Sequence, residues 1–237
     1  MRARSDCVPL TEVTLNGADL VLDPLGAVLW PREGLLAVAD LHLEKGSAFA
    51  RRGRMLPPYD TIETVSRLEL LVRRWTPRVV VALGDSLHDR GARARLDPAI
   101  LDRLRGLQAG RTFIWITGNH DPEPAPDLGG DWHDLWRVGP LAFRHEPAPM
   151  AAPGEVAGHL HPAARLVVRG RGIRRRCFVT DGTRMILPAL GAYAGGLNVR
   201  DRAFQAVFPP AFEAHLLGAE RTYRIAGHAC VPDYTKS

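Results

Sequence analysis

Histidine, aspartate and asparagine recur in this chain at five separated places: Asp40-Leu41-His42, Gly84-Asp85, Gly118-Asn119-His120-Asp121, His145, and Gly158-His159-Leu160-His161. These are the donors that a pair of divalent cations asks for. One carboxylate bridges two ions about 3.5–4 Å apart, while imidazoles, a second carboxylate and an amide oxygen complete the shells. No cysteine lies in any of the segments. That points away from a thiolate-rich structural zinc site and towards hard N/O chemistry suited to manganese, iron or zinc.

The elements that must position these residues are visible just upstream of them. Leu35–Ala39 precedes Asp40, Val79–Leu83 precedes Gly84, Phe113–Ile116 precedes Gly118, and the strand-like Leu141–Arg144 precedes His145. Continuous apolar runs of this length read as strands buried on both faces, and open α/β sheets place ligands just beyond the carboxyl ends of such strands. Five loops are therefore expected to meet in one crevice. Taken alone, His145 reads as a surface or core histidine and Asn119 as a turn residue after Gly118. Together with the other segments, both become candidate ligands. Taken alone, His88, beyond Asp85, reads as a helix-start residue.

The ordered set D-x-H, G-D, G-N-H-D, a lone H and G-H-x-H resembles the calcineurin-like metallophosphoesterase superfamily. The resemblance implies an α/β fold, a four-layer αββα sandwich of two mixed β-sheets. It implies that Asp40, His42, Asp85 and His161 hold one metal, that Asp85, Asn119, His145 and His159 hold the other, and that Asp85 is the bridge. His120 would face the scissile phosphate and protonate or neutralise the leaving oxygen, with Asp121 orienting it and keeping it charged. His88, at a spacing that nuclease-type members share, would lie close to the metals or contact the substrate, and the attack would be in line, by a metal-bound hydroxide. A narrower resemblance, to the bacterial ligase-associated DNA damage response endonuclease family, is carried by Asp40-Leu-His-Leu-Glu-Lys-Gly-Ser47, Arg51-Arg-Gly53, Pro57-Pro-Tyr-Asp60 and Leu187–Val199, and spans roughly residues 18 to 226. It implies a manganese-dependent phosphodiesterase and DNA endonuclease working in repair alongside an ATP-dependent DNA ligase and a helicase.

A formal charge of +5 favours polyanionic partners. Lys45 and Lys236 are the only lysines. The arginines cluster after the first metal segment, at Arg51, Arg52 and Arg54, and after the last, between Arg165 and Arg176. The Arg-Gly-Arg-Gly stretch within Arg165–Val179 reads as a turn between two strands, a hairpin with a basic tip. Its charges either contact a nucleic-acid backbone or keep a solvated edge from aggregating. Lys45, Arg51, Arg174, Arg175 and Arg176 are the candidate substrate-binding residues.

At 237 residues and 46% hydrophobic, the chain is expected to form one metallophosphoesterase domain over 1–237. Its first half reads as a hairpin at Ala18–Asp23 and Ala27–Trp30, a helix over Thr61–Trp75 and a second helix opened by Asp97-Pro98. The second half reads as short strands: Leu135–Val138, Leu141–Arg144, Glu155–Gly158, Leu166–Arg169, Ile173–Val179, Arg184–Leu187 and Ala203–Phe208. The proline-rich stretches Pro122–Pro126 and Pro147–Pro153 read as stiff rim loops rather than domain boundaries. No segment is long and apolar enough to cross a membrane, and no apolar stretch follows the basic N-terminus, so no secretory signal is expected. Cys7, Cys177 and Cys230 are too few and scattered for a disulfide framework, which fits a reduced cytoplasm.

Three functions remain open on the sequence. A DNA endonuclease accounts for the arginine clusters. A phosphodiesterase or phosphatase for small nucleotides or phosphomonoesters would share every metal ligand. An inactive scaffold would be expected to lose His120 or a ligand, and none is lost.

Overall fold

A computed structural model describes residues 10–150 and 152–233; Cys7 and Lys236 lie outside them. Strands β1 (Thr11–Leu15), β2 (Ala18–Leu22), β3 (Val28–Trp30), β4 (Leu35–Val38), β5 (Val79–Leu83), β6 (Thr112–Ile116) and β7 (Asp131–His133) form a seven-stranded sheet in chain order. The first four strands meander antiparallel, and β4 to β7 run parallel.

The second sheet holds nine strands. They are β8 (Leu135–Val138), β9 (Leu141–Arg144), β10 (Glu155–Ala157), β11 (Pro162–Val168), β12 (Arg171–Thr180), β13 (Met185–Ile186), β14 (Leu197–Asn198), β15 (Glu213–Leu217) and β16 (Thr222–Ala226). It too is mixed: β9, β10 and β13 run parallel, while β11 and β12 form an antiparallel hairpin. Leu35, Ala37, Val81, Leu83, Ile114 and Ile116 of the first sheet pack against Phe143, Val156, Phe178 and Met185 of the second. The β4–β6 residues pointing the other way, Leu36, Val38, Val80, Ala82, Phe113 and Trp115, meet the helices. Burial on both faces explains the unbroken apolar runs in the sequence.

Helices α1 (Lys45–Ala50), α2 (Asp60–Trp75), α3 (Ala92–Arg95) and α4 (Pro98–Gln108) follow the strands of the first sheet. In α2, Asp60 and Glu63 lie in the first turn and Arg73 and Arg74 in the last, complementing the helix dipole. Its buried stripe is Val65, Leu68, Leu71 and Val72. Asp97 caps α4 by accepting from the Ala99 N–H, with Pro98 at the first helical position, as its sequence signature requires.

The expected strand over Ala203–Phe208 is instead a short helix, α5 (Arg202–Gln205), continued by a helical turn. Asp201 caps it through the Ala203 N–H, and Phe204 and Phe208, one turn apart, bury against Ala164, Cys177 and Val179 on the outer face of the second sheet. Helical spacing won over the apolar content that suggested a strand. The layers are therefore helices, sheet, sheet, and a thin covering of α5 with the segment after it.

Candidate metal centre

All five segments lie at the carboxyl ends of parallel strands. Asp40 and His42 follow β4, Asp85 follows β5, Asn119 and His120 follow β6, His145 follows β9, and His159 and His161 follow β10. The two sheets contribute from opposite sides. Asp40, His42, Asp85, His159 and His161 all have φ between 45° and 68°, a left-handed backbone that costs a non-glycine residue about 1–2 kcal/mol. Such strain persists where the surroundings dictate it, as at ligand sites.

The glycines beside these residues leave room for them. A Cβ on Gly118 would come within 2.3 Å of the Asp85 amide nitrogen and of its Oδ1. A Cβ on Gly84 would stand 2.5 Å from the His145 ring. The motif glycines allow one segment to lie directly against another.

Three groups of donors have ligand atoms within 4.8 Å of one another: Asp40, His42 and His161; Asp85, His145 and His159; and, without a carboxylate, His42, His88 and His120. In the first, His42 Nε2 is 3.1 Å from His161 Nε2, and His161 Nε2 is 3.3 Å from Asp40 Oδ1. In the second, His145 Nε2 is 3.4 Å from Asp85 Oδ1, 3.1 Å from His159 Nδ1 and 2.9 Å from Asn119 Oδ1. Asp85 Oδ2 faces the other way, 3.9 Å from His42 Nε2. One carboxylate thus presents one oxygen to each of the first two groups.

Asp40 and Asp85 are 0% and 2% exposed, yet among the described residues neither pairs with a lysine or arginine. Their neighbours are imidazoles and backbone N–H groups, with His159 N donating to Asp40 and His120 N donating to Asp85. Two buried carboxylates without a lysine or arginine call for positive charge, which a protonated His145 meets only in part, and divalent cations fit this donor set. Burial, with His161 alongside, pushes His42 down to about 2, which leaves its ring neutral and able to bind metal. Burial opposes ionisation of Asp85, but the His145 ring outweighs it and holds the carboxyl at about 2. His145 is pushed up to about 9 by Asp85 and Asp40, against its own burial. Its Nδ1 lies 2.9 Å from the Leu83 carbonyl, to which it donates, directing Nε2 into the site.

His88 stacks with His120, their ring centroids 5.2 Å apart. Burial and the charge of Lys45 push it down to about 4. It is not a helix-start residue: its N–H bonds the Leu43 carbonyl and its own carbonyl accepts from His120 Nδ1. That carbonyl performs the orienting task expected of Asp121. The Asp121 carboxylate instead accepts from the backbone N–H groups of Asp85, Leu87 and Gly118, and nothing ties it to the His120 ring. Asp121 lies behind the site, bolting the loop after β5 to the loop after β6. Burial pushes its carboxyl up to about 6, although the Leu87 N–H works the other way.

The expected basic residues divide. Lys45 opens α1 with its ammonium 6.0 Å from the Phe49 ring, its pKa lowered by burial against the opposing pull of Asp60. Arg51 is exposed just beyond α1. Arg174 binds Asp233 and the Gly196 carbonyl, and Arg176 donates to the Ala189 carbonyl at 2.7 Å. Arg175 is exposed and has no partner among the described residues. The turn of the hairpin is Arg169-Gly170, so none of Arg174, Arg175 and Arg176 is at its tip.

Sequence reasoning left Tyr193 and the segment around it without a part. That segment lies along the first metal loop: Leu190 N donates to the Ala39 carbonyl and Gly191 N to the Asp40 carbonyl. Arg67 and Arg176 hold it from behind, and the Tyr193 hydroxyl donates to Pro57 O at 2.9 Å, tying it to the loop after α1. Gly191 and Gly196 were the available signal, since a Cβ on either would press on the backbone carbonyl of Leu41 or of His161.

A family model described as calcineurin-like phosphoesterase matches residues 35–183. Among solved structures, the nuclease MPE of Pseudomonas putida is 31% identical, covering 91% of this chain and 100% of that one, with a TM-score of 0.70. The phosphoesterase Yfce of E. coli is 14% identical over 81% of this chain and 98% of that one, with a TM-score of 0.42. No curated protein matches the chain.

Proposed function

Because the chain belongs to the calcineurin-like phosphoesterase family, we propose that it is a two-metal phosphodiesterase that cuts DNA. The observation carrying the metal half of this reading is Asp85, with one buried carboxylate oxygen facing each histidine group. Asp40, His42, Asp85 and His161 hold the first cation, and Asp85, Asn119, His145 and His159 the second. Two cations there supply Lewis acidity towards a phosphoryl oxygen and a nucleophilic water near neutral pH. Manganese is the proposed metal; the all-N/O donor set suits it and also suits iron or zinc.

His120 is the proton donor in this reading. Its Nδ1 is committed to the His88 carbonyl. Its Nε2, 3.8 Å from Asp85 Oδ2 on a side chain 38% exposed, is left to meet the leaving oxygen. His88 fixes which nitrogen does this. Lys45, whose charge acts on both His42 and His88, and Arg51, exposed beyond α1, are the proposed contacts to flanking phosphates. The nuclease activity of the Pseudomonas putida relative supports DNA as the substrate. A repair setting with an ATP-dependent ligase and a helicase, and a cytoplasmic location, complete the proposal.

The test is cleavage of supercoiled plasmid and of linear single-stranded DNA by metal-stripped protein, with manganese, magnesium or zinc restored separately and Asp85→Ala alongside. Nicking that needs metal and disappears in Asp85→Ala is the expected result. Turnover of simple phosphate esters without any nicking would move the protein to a small-molecule substrate.

A further inference from the structure

We propose that the β11–β12 hairpin is a nucleic-acid-holding arm, whose Arg169, Arg171 and Arg175 grip a phosphodiester backbone away from the cleaved bond. This rests on the nuclease reading. Strand β11 starts at Pro162, the residue after His161, so the arm is rooted in the metal centre itself. Its pairing with β14 covers only Pro162 and Ala163, and β12 pairs with β15 only from Cys177 onward. Between these limits the two strands pair with each other, the Val231 N–H binds the Arg165 carbonyl, and only beyond that point do they project as a free ribbon. From Pro162 to Val168 the ribbon extends about 20 Å at ~3.3 Å per residue.

The ribbon carries six arginines and no acidic residue between Pro162 and Thr180. Half of those arginines are engaged at home: Arg165 with the Pro232 carbonyl, Arg174 with Asp233 and Gly196, and Arg176 with Ala189. Arg169, Arg171 and Arg175 are exposed and have no partner among the described residues. The register sets Val168 opposite Arg171, Leu166 opposite Ile173 and Ala164 opposite Arg175. Residues opposite each other, and every second residue, share a face. One face therefore reads Arg171, Ile173, Arg175, with Val168 beside them, and Arg169 stands at the turn.

The two-residue turn at Arg169-Gly170, with φ of 50° and 74°, gives the arm a short, defined end. Unpaired guanidiniums without acids, interleaved with exposed Val168 and Ile173, are complementary to a polyanion with a hydrophobic flank. A strand bound at the metals and followed along the arm reaches its end after about six nucleotides of duplex at ~3.4 Å each. Substrate length, rather than the reacting ester, is then what the arm senses.

The experiment compares wild type with the triple variant Arg169→Asn, Arg171→Gln, Arg175→Gln, in which asparagine suits the left-handed turn position. Each is assayed on an oligonucleotide of roughly 20 nucleotides, on a tetranucleotide, and on methyl p-nitrophenyl phosphate. The expected loss is about tenfold in kcat/KM on the long substrate only, with the slope of log affinity against log salt reduced by about 2–3. Unchanged rates on all three would overturn the arm while leaving the nuclease reading intact, and would make an acidic protein surface the better occupant. Equal loss on all three would also overturn it, as damage to the site. A wild type that hydrolyses the small ester but no oligonucleotide of either length removes the nuclease reading and the arm together.

Discussion

At the scale of single residues, His120 and the ligands are neighbours with separable duties. The ring of His120 contributes no atom to either donor group that contains Asp40 or Asp85. Replacing it with alanine should leave two bound metals per chain, measured by elemental analysis. Turnover should fall by roughly 10²–10⁴, most steeply for esters with poor leaving groups, as expected when a general acid is removed. Metal loss in that variant would show that His120 is a ligand. The resemblance implied that Asp121 orients His120, and the structure gives its carboxylate other partners. An acid next to that histidine suggests an orienting partner, but the Asp121 carboxylate is turned to backbone N–H groups of the two loops and away from the His120 ring.

At the scale of elements, the loops hold one another. Asp121 is the clearest case, since a single carboxylate satisfies three backbone N–H groups in two loops. Asp121→Ala would leave those donors unsatisfied in a site where Asp121 is only 4% exposed, at a cost of about 1–3 kcal/mol for each buried orphan. Thermal unfolding should move to lower temperature and metal affinity should fall, while the dependence of the remaining activity on leaving group stays as in wild type. A selective loss on poor leaving groups would instead restore Asp121 as the partner of His120. Regular elements were legible where one periodicity dominated: α2, β5, β6, β8 and β9 lie within a residue of where the pattern placed them. Strand β11 starts four residues earlier than expected because Ala163, Ala164 and Arg165 extend the hairpin with β12 and Pro162 pairs with β14, about 35 residues away in the chain. Strands β15 and β16 went unread although they form a local hairpin, Glu213–Leu217 with Thr222–Ala226, which docks on β12 through β15.

At the scale of the whole molecule, the clearest pH response outside the candidate metal centre lies on β15, where His215 stands opposite Phe178. His215, 1% exposed on β15, has both ring nitrogens without a hydrogen-bond partner, and Glu213 Oε2 is 3.7 Å away. Burial lowers its pKa from 6.5, and the nearby Glu213 only partly opposes this. The fold therefore prefers the neutral ring, and the unfolded chain takes up the proton first as pH falls. Stability from this residue is complete above about pH 6.5 and declines below it. Melting of wild type should weaken more between pH 7 and pH 5 than melting of His215→Phe. Parallel profiles would show that the ring is charged or solvated in the fold.

The sequence by itself determined the five segments, the donor types and the strands that end beneath them, because each is a local property of residue identity and apolar run. Tertiary structure decided which oxygen of Asp85 faces which histidine group, that Asp121 bolts loops while the His88 carbonyl orients His120, and which arginines are free. Those outcomes depend on left-handed turns and on contacts between loops of two different sheets. Packing selects them, and no spacing along the chain encodes the direction in which a side chain finally points.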